Sequence, residues 1–180
     1  MSDEKRGRGR REPPDTAQAV EIALRYLGTR PRTRWELERR LKRADASEEV
    51  RERALARLAE LGYLDDAAFA RYWSEQRDRH APRGRRMLEA ELRQRGVPRD
   101  VIDAYRDEHQ SPERAAEDEV LPGNELERAR EALTRHLHGR PLPDEAGALR
   151  RIGLFLVRRG FDPETARAAI RAAGENGEAQ

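Results

Sequence analysis

The sequence contains no cysteine, which excludes disulfides, thiolate metal ligands and thiol nucleophiles and fits a reducing cytoplasm. Aromatic residues are 5% and apolar residues only 36%, against 40% charged. Several small cores are therefore expected rather than one large one. β-Branched residues are scarce, while Ala, Leu, Glu and Arg dominate, a balance that favours an all-α protein. Long apolar runs are missing too. The most apolar stretch, residues 154–157, falls far short of the roughly 20 residues a membrane span needs. The first residues, MSDEKRGRGRREPPD, hold no apolar segment of the kind a signal peptide carries, so a protein off the membrane and in the cytoplasm is expected. No HExxH, GxSxG or GxxxxGK[ST] occurs. His136 and His138 would diverge by about 200° on a helix and cannot share a metal. No catalytic apparatus, metal or cofactor is expected, which points to a binding protein rather than an enzyme.

Charge is plentiful and nearly balanced: 37 Lys and Arg against 35 Asp and Glu, a net charge of +2. Its distribution carries the information. Residues 30–43 hold seven basic residues and two acids, and residues 71–95 hold eight arginines and four acids. Residues 107–127 reverse this, with eight acids and one arginine.

The apolar pattern repeats. Counting from Pro31, Leu37 and Leu41 stand at +6 and +10; counting from Pro82, Leu88 and Leu92 stand in the same slots, with Gly96 at +14. Counting back from Gly160 puts Ile152 and Leu156 there, after a five-residue insertion in PLPDEAG. A short helix is expected on either side of each block. The spacing thus predicts three tandem three-helix repeats at residues 15–64, 65–108 and 125–173, forming an elongated, curved molecule. A disordered basic tail at 1–14, an acidic linker at 109–124 and a flexible tail at 174–180 complete the division. Local signals agree: Thr33 and Glu36 have capping-box spacing, Ser47 and Asp162-Pro163 suit helix starts, and Gly96 suits a left-handed helix stop.

The central stretch, residues 61–97, is the fullest copy. Asp65 or Asp66 would cap a helix whose Phe69, Tyr72 and Trp73 share a face. Pro82 and Gly84 break it, and a second helix turns Met87, Leu88 and Leu92 inward. Trp73 is expected in the core, whereas Trp35, beside a basic turn, is the better candidate for an exposed contact. Gly62-Tyr63-Leu64-Asp65-Asp66, Phe69-Ala70-Arg71, Gly84, Glu91-Leu92 and Gly96-Val97 resemble the signature of the RecX family. One departure is Arg95, where such proteins often carry lysine before the glycine, which keeps the charge and changes the head group.

The resemblance implies a regulator that binds the RecA recombinase filament and modulates, mainly inhibits, strand exchange and ATP hydrolysis in DNA repair and recombination. It acts as a monomer in this reading, with single- or double-stranded DNA as a further partner. The residues expected to carry binding are Arg71, Arg79, Arg83, Arg85 and Arg86 around the second turn, and Arg30, Arg32 and Arg34 around the first. Arginine forks of this kind suit phosphate or carboxylate. A bland reading, arginines paired along their own helices with Glu89, Glu91 and Asp78, competes with it. The alternative function is a stand-alone helical DNA-binding protein with one helix in the major groove, against which the low net charge and the acidic linker count.

Overall fold

Several of the helices begin where an oxygen-bearing side chain meets amides that have no partner within the helix. In α1 (Thr16–Leu27) the Asp15 carboxylate accepts from the Gln18 amide at 2.8 Å, and Gln18 Oε1 accepts from the Asp15 amide at 3.0 Å. The predicted Thr33–Glu36 box opens α2 (Arg34–Lys42), with reciprocal bonds of 3.1 and 3.2 Å. Ser47 accepts from the Val50 amide at 3.3 Å to start α3 (Glu48–Glu60). Then follow α4 (Asp66–His80), α5 (Arg85–Gln94), α6 (Arg99–Gln110), α7 (Glu125–Leu137), α8 (Ala146–Arg158) and α9 (Pro163–Gly177). The last is capped by Asp162, which accepts from the Glu164 and Thr165 amides at 3.0 and 2.9 Å. The Thr165 hydroxyl and those amides hold the Asp162 carboxyl below its usual range.

The computed structural model describes residues 12–110 and 125–177. Most of the expected basic tail and acidic linker, residues 1–11 and 111–124, and the last three residues lie outside the described residues. Two expected boundaries move: α6 runs past residue 108 to Gln110, and α9 runs through the segment from 174, expected to be a flexible tail, as far as Gly177. Among the described residues there are nine helices and no strand, and no helix is long and apolar enough to cross a membrane.

The nine helices form three trios, each around its own small core, a tandem helical-repeat fold. In the first trio Ala19, Ala23, Leu37, Leu41, Ala54 and Leu58 are wholly buried. Phe69, Leu88, Leu92, Val97 and Ile102 fill the second, with Trp73 packed against them. Ala129, Leu156, Phe161, Ala166 and Ala169 fill the third. The slots read from the repeat, Leu37/Leu41, Leu88/Leu92 and Ile152/Leu156, are all buried. α8 is the longest middle helix, at 13 residues against nine and ten for α2 and α5. The insertion before it is therefore spent partly on an extra helical turn.

The middle helices end alike. At the end of α5 the Gly96 amide donates to Arg93 O at 2.9 Å and the Val97 amide to Leu92 O at 3.1 Å. Gly160 and Phe161 repeat this pairing on Val157 and Leu156 at 2.9 and 3.3 Å. These bonds satisfy terminal carbonyls only if the glycine takes a positive φ, here 75° and 93°. α2 ends in the same way without glycine: Asp45, at +14 from Pro31, has φ 59°, and the Ala46 amide donates to Leu41 O at 3.2 Å. The next residue, Ala46, Val97 or Phe161, then enters its core. A left-handed conformation costs an ordinary residue about 1–2 kcal/mol. Gly96→Ala is accordingly expected to destabilise the chain by about 1–2 kcal/mol, and Asp45→Gly to stabilise it by about 0.5–1 kcal/mol. Urea unfolding of both variants checks the pair, and a stabilising Gly96→Ala contradicts it.

Residues up to Asp65 form one compact unit and those from Asp66 onward another. The second unit contains two trios, where the sequence suggested a linker holding them apart. Gly84, which opens α5, donates its amide to Arg159 O at 3.0 Å, and Arg159 NH1 donates to Pro82 O at 3.0 Å. A side-chain network ties the same trios elsewhere. Arg128 on α7 donates to Asp78 Oδ1 at 2.8 Å and Oδ2 at 3.2 Å, and to the Ser74 hydroxyl, both acceptors being on α4. Ser74 is fully buried. It also hydrogen-bonds Tyr105 of α6, whose phenol burial pushes above its ordinary pKa.

Candidate partner-binding surface

The eight arginines singled out from sequence divide into those with internal work and those that face solvent. Arg30 forms a two-pronged pair with Glu36, at 2.6 and 3.2 Å, bracing the carboxylate that caps α2. Arg32 lies flat over the Tyr26 ring at 3.8 Å and donates to Thr29 Oγ1 at 2.8 Å. Arg83 points its Nε toward Glu91 at 3.7 Å, and that nitrogen is buried with no hydrogen-bond acceptor. Arg85 is half-buried, with its backbone amide donating to Glu125 Oε1 at 3.2 Å. Arg34, Arg71, Arg79 and Arg86 are exposed.

Glu91 explains why the second turn is less open than its charge suggests. It is 8% exposed, and its carboxylate accepts from Trp73 Nε1 at 2.8 Å and from Arg77 Nε at 2.7 Å. Guanidiniums of Arg77 and Arg95 stand over the Trp73 ring at 4.5 and 3.5 Å, and Phe69 stacks on it at 6.1 Å. A buried carboxylate is tolerable only with several charged or polar donors. Arg77 and Trp73 donate to it and Arg83 adds a nearby positive charge at 3.7 Å, so part of the arginine-rich turn serves the fold. The pairing along single helices expected under the bland reading is found for Glu89, with Arg93 at 3.5 Å. Glu91 and Asp78 instead take partners from other elements. Trp73, expected in the core, is partly buried and packs against it, and Trp35 is 39% exposed with Arg39 over its ring at 4.4 Å.

Sequence reading assigned nothing to the third trio, yet an apolar groove of about 440 Å³ opens there between α8 and α9. Leu154, Val157 and Ile170 line it together with Arg150, Arg167 and Arg171, and among the described residues no carboxylate does. Leu154 is 51% and Val157 38% exposed. The signal was in the sequence: Leu154 and Val157 sit three apart on a helix whose buried stripe is Ile152 and Leu156, so they fall on another face. Among the described residues no group of three His, Cys, Asp or Glu is placed to hold a metal ion.

Comparison with known proteins is consistent across sequence and fold. The RecX first three-helix domain matches residues 19–58 and the RecX second three-helix domain matches residues 65–105. The regulatory protein RecX of Thermobifida fusca is 40% identical over 158 residues, 86% of this chain and 78% of that protein. That of Prosthecochloris aestuarii is 35% identical over 158 residues, 87% of this chain and 93% of its own. The crystal structure of RecX from Lactobacillus salivarius superposes with a TM-score of 0.71 over 89% of this chain and 97% of that chain, at 16% identity.

Proposed function

The chain belongs to the RecX family of regulatory proteins, and on that premise we propose that it binds the RecA recombinase filament as a monomer and modulates, mainly inhibits, its strand-exchange and ATPase activities. The observation that carries the reading is the division among the arginines. Arg71, Arg79 and Arg86 remain exposed at the second turn and along α4 although their neighbours are absorbed by Glu91. Exposed guanidiniums steer and orient a protein toward acidic protein surface or a phosphate backbone. The apolar groove of the third trio offers a contact of the other kind, in which burial rather than charge supplies affinity. DNA is a second partner in this reading, since the same guanidiniums suit its phosphates.

The test uses the full chain in RecA-driven strand exchange and ATP hydrolysis. Arg71→Ala/Arg79→Ala/Arg86→Ala is expected to keep its helicity and to weaken inhibition by roughly tenfold. Full inhibition by the folded triple variant refutes the assignment of these residues. An effect on DNA affinity alone, undiminished when RecA is omitted and falling steeply with salt, favours the stand-alone DNA-binding function instead.

A further inference from the structure

A second cavity, of about 240 Å³, lies where the end of α4 and the turn after it meet α7 and α8. His80, Arg135, His136, His138 and Arg159 line it with Phe155, and among the described residues no carboxylate does. Phe155 forms a platform: the His136 ring stacks on it at 3.9 Å, and the Arg159 guanidinium stands over it at 4.9 Å. Arg135 is committed elsewhere, with Nε donating to Glu131 at 2.7 Å, NH1 to Arg79 O at 2.9 Å and NH2 to Asp78 O at 3.4 Å. Asp78 in turn belongs to Arg128. Arg159 is the anomaly. It is half-buried, and among the described residues its side chain makes a single hydrogen bond, to Pro82 O, and has no carboxylate partner. Burial lowers its pKa, and the facing charges of Arg83 and Arg135 lower it further.

A guanidinium withdrawn from water without a counter-charge is costly, and like charges beside it raise that cost. The remaining donors of Arg159 form the planar fork that grips two oxygens of an oxyanion. Three imidazoles, from the end of α4 and the end of α7, line the same cavity and bring ring N–H groups to it, which suits a group with several acceptor oxygens better than a single carboxylate. We propose that this cavity is a phosphate-binding site, with Arg159 as its anchoring cation and His80, His136 and His138 as its surrounding donors. The site uses none of the exposed arginines assigned to the recombinase, and it stands or falls independently of that assignment.

Inorganic sulfate, which shares the tetrahedral shape and double charge of phosphate, is the first probe. It is titrated into the full chain, with chloride at matched ionic strength as reference, while the arginine Nε and imidazole NMR signals are followed. Saturable shifts at Arg159 and His136 that chloride does not reproduce are expected. Arg159→Gln is expected to weaken sulfate binding about tenfold or more. Because this change also removes the Pro82 contact, His80→Gln/His136→Gln/His138→Gln, all at exposed positions, is measured beside it and is expected to weaken binding with helicity unchanged. Sulfate and chloride acting alike, or sulfate affinity unchanged in both variants, overturns the site. A single-stranded oligonucleotide then identifies the source of the phosphate. A salt slope reduced by about one in Arg159→Gln assigns it to a nucleic-acid backbone. Unchanged DNA affinity with sulfate binding lost assigns it to a free or nucleotide phosphate.

Discussion

Gly84→Ala is expected to destabilise the unit that begins at Asp66 by about 3 kcal/mol. A Cβ at this position would overlap the backbone of Gly160 and Phe161, and backbone cannot swing aside as the tip of a side chain can. The same methyl would push apart the pair formed by the Gly84 amide and Arg159 O. Gly160→Ala meets the other side of this crossing, 2.5 Å from Met87 Cβ and N, and adds the strain of φ 93°. Hydrogen exchange gives the decisive measurement. Protection should fall across α4–α9 in both variants and stay at the wild-type level in α1–α3. A Gly84→Ala chain with an unchanged melting curve would falsify the close crossing.

Arg128→Met should be nearly as damaging, at about 3 kcal/mol. The side chains of Arg128 and Asp78 are only 13% and 22% exposed, so removing the cation takes its charged donor from a shielded carboxylate and from the fully buried Ser74 hydroxyl. Most of that cost is the penalty of a shielded acid that has lost its counter-charge, and little is the worth of the bond itself. Adding Asp78→Leu to Arg128→Met is therefore expected to recover most of the loss, as thermal unfolding of the two single and one double variants would reveal. A double variant as unstable as the sum of the singles would place the energy in packing instead.

What could be read from the sequence was what neighbours along the chain decide. The Thr33–Glu36 box, the Ser47 and Asp162 caps and the Gly96 stop each involve groups within a few residues, and all are present. The Leu88/Leu92 stripe followed from helical period alone. Asp45 was missed as a left-handed stop because aspartate reads more readily as a helix-starting residue, although its +14 offset matched that of Gly96.

Partners distant in sequence were illegible. Asp78 has arginines one residue away on either side, yet its partner is Arg128, fifty positions on. Gly84 looked like an interruption of helix and proved to be a contact between two backbones, a role that depends on what lies opposite. The candidate surface was half legible for the same reason. Counting charge located the second turn, but only coordinates separate Arg83, held near Glu91, from exposed Arg86. Arg159 drew no notice because the features that single it out, burial and like-charged neighbours, are three-dimensional.

The sequence holds only two tryptophans, and the structure gives each compact unit one: Trp35 before Asp65 and Trp73 after it. Trp73 is clamped between Phe69 and Arg95 with its N–H on Glu91, whereas Trp35 meets water. Intrinsic fluorescence is thus a ready-made two-channel reporter. With Trp35→Phe the emission comes from the later unit alone, and with Trp73→Phe from the earlier one, so an unlabelled chain can disclose which half loosens first under heat or denaturant.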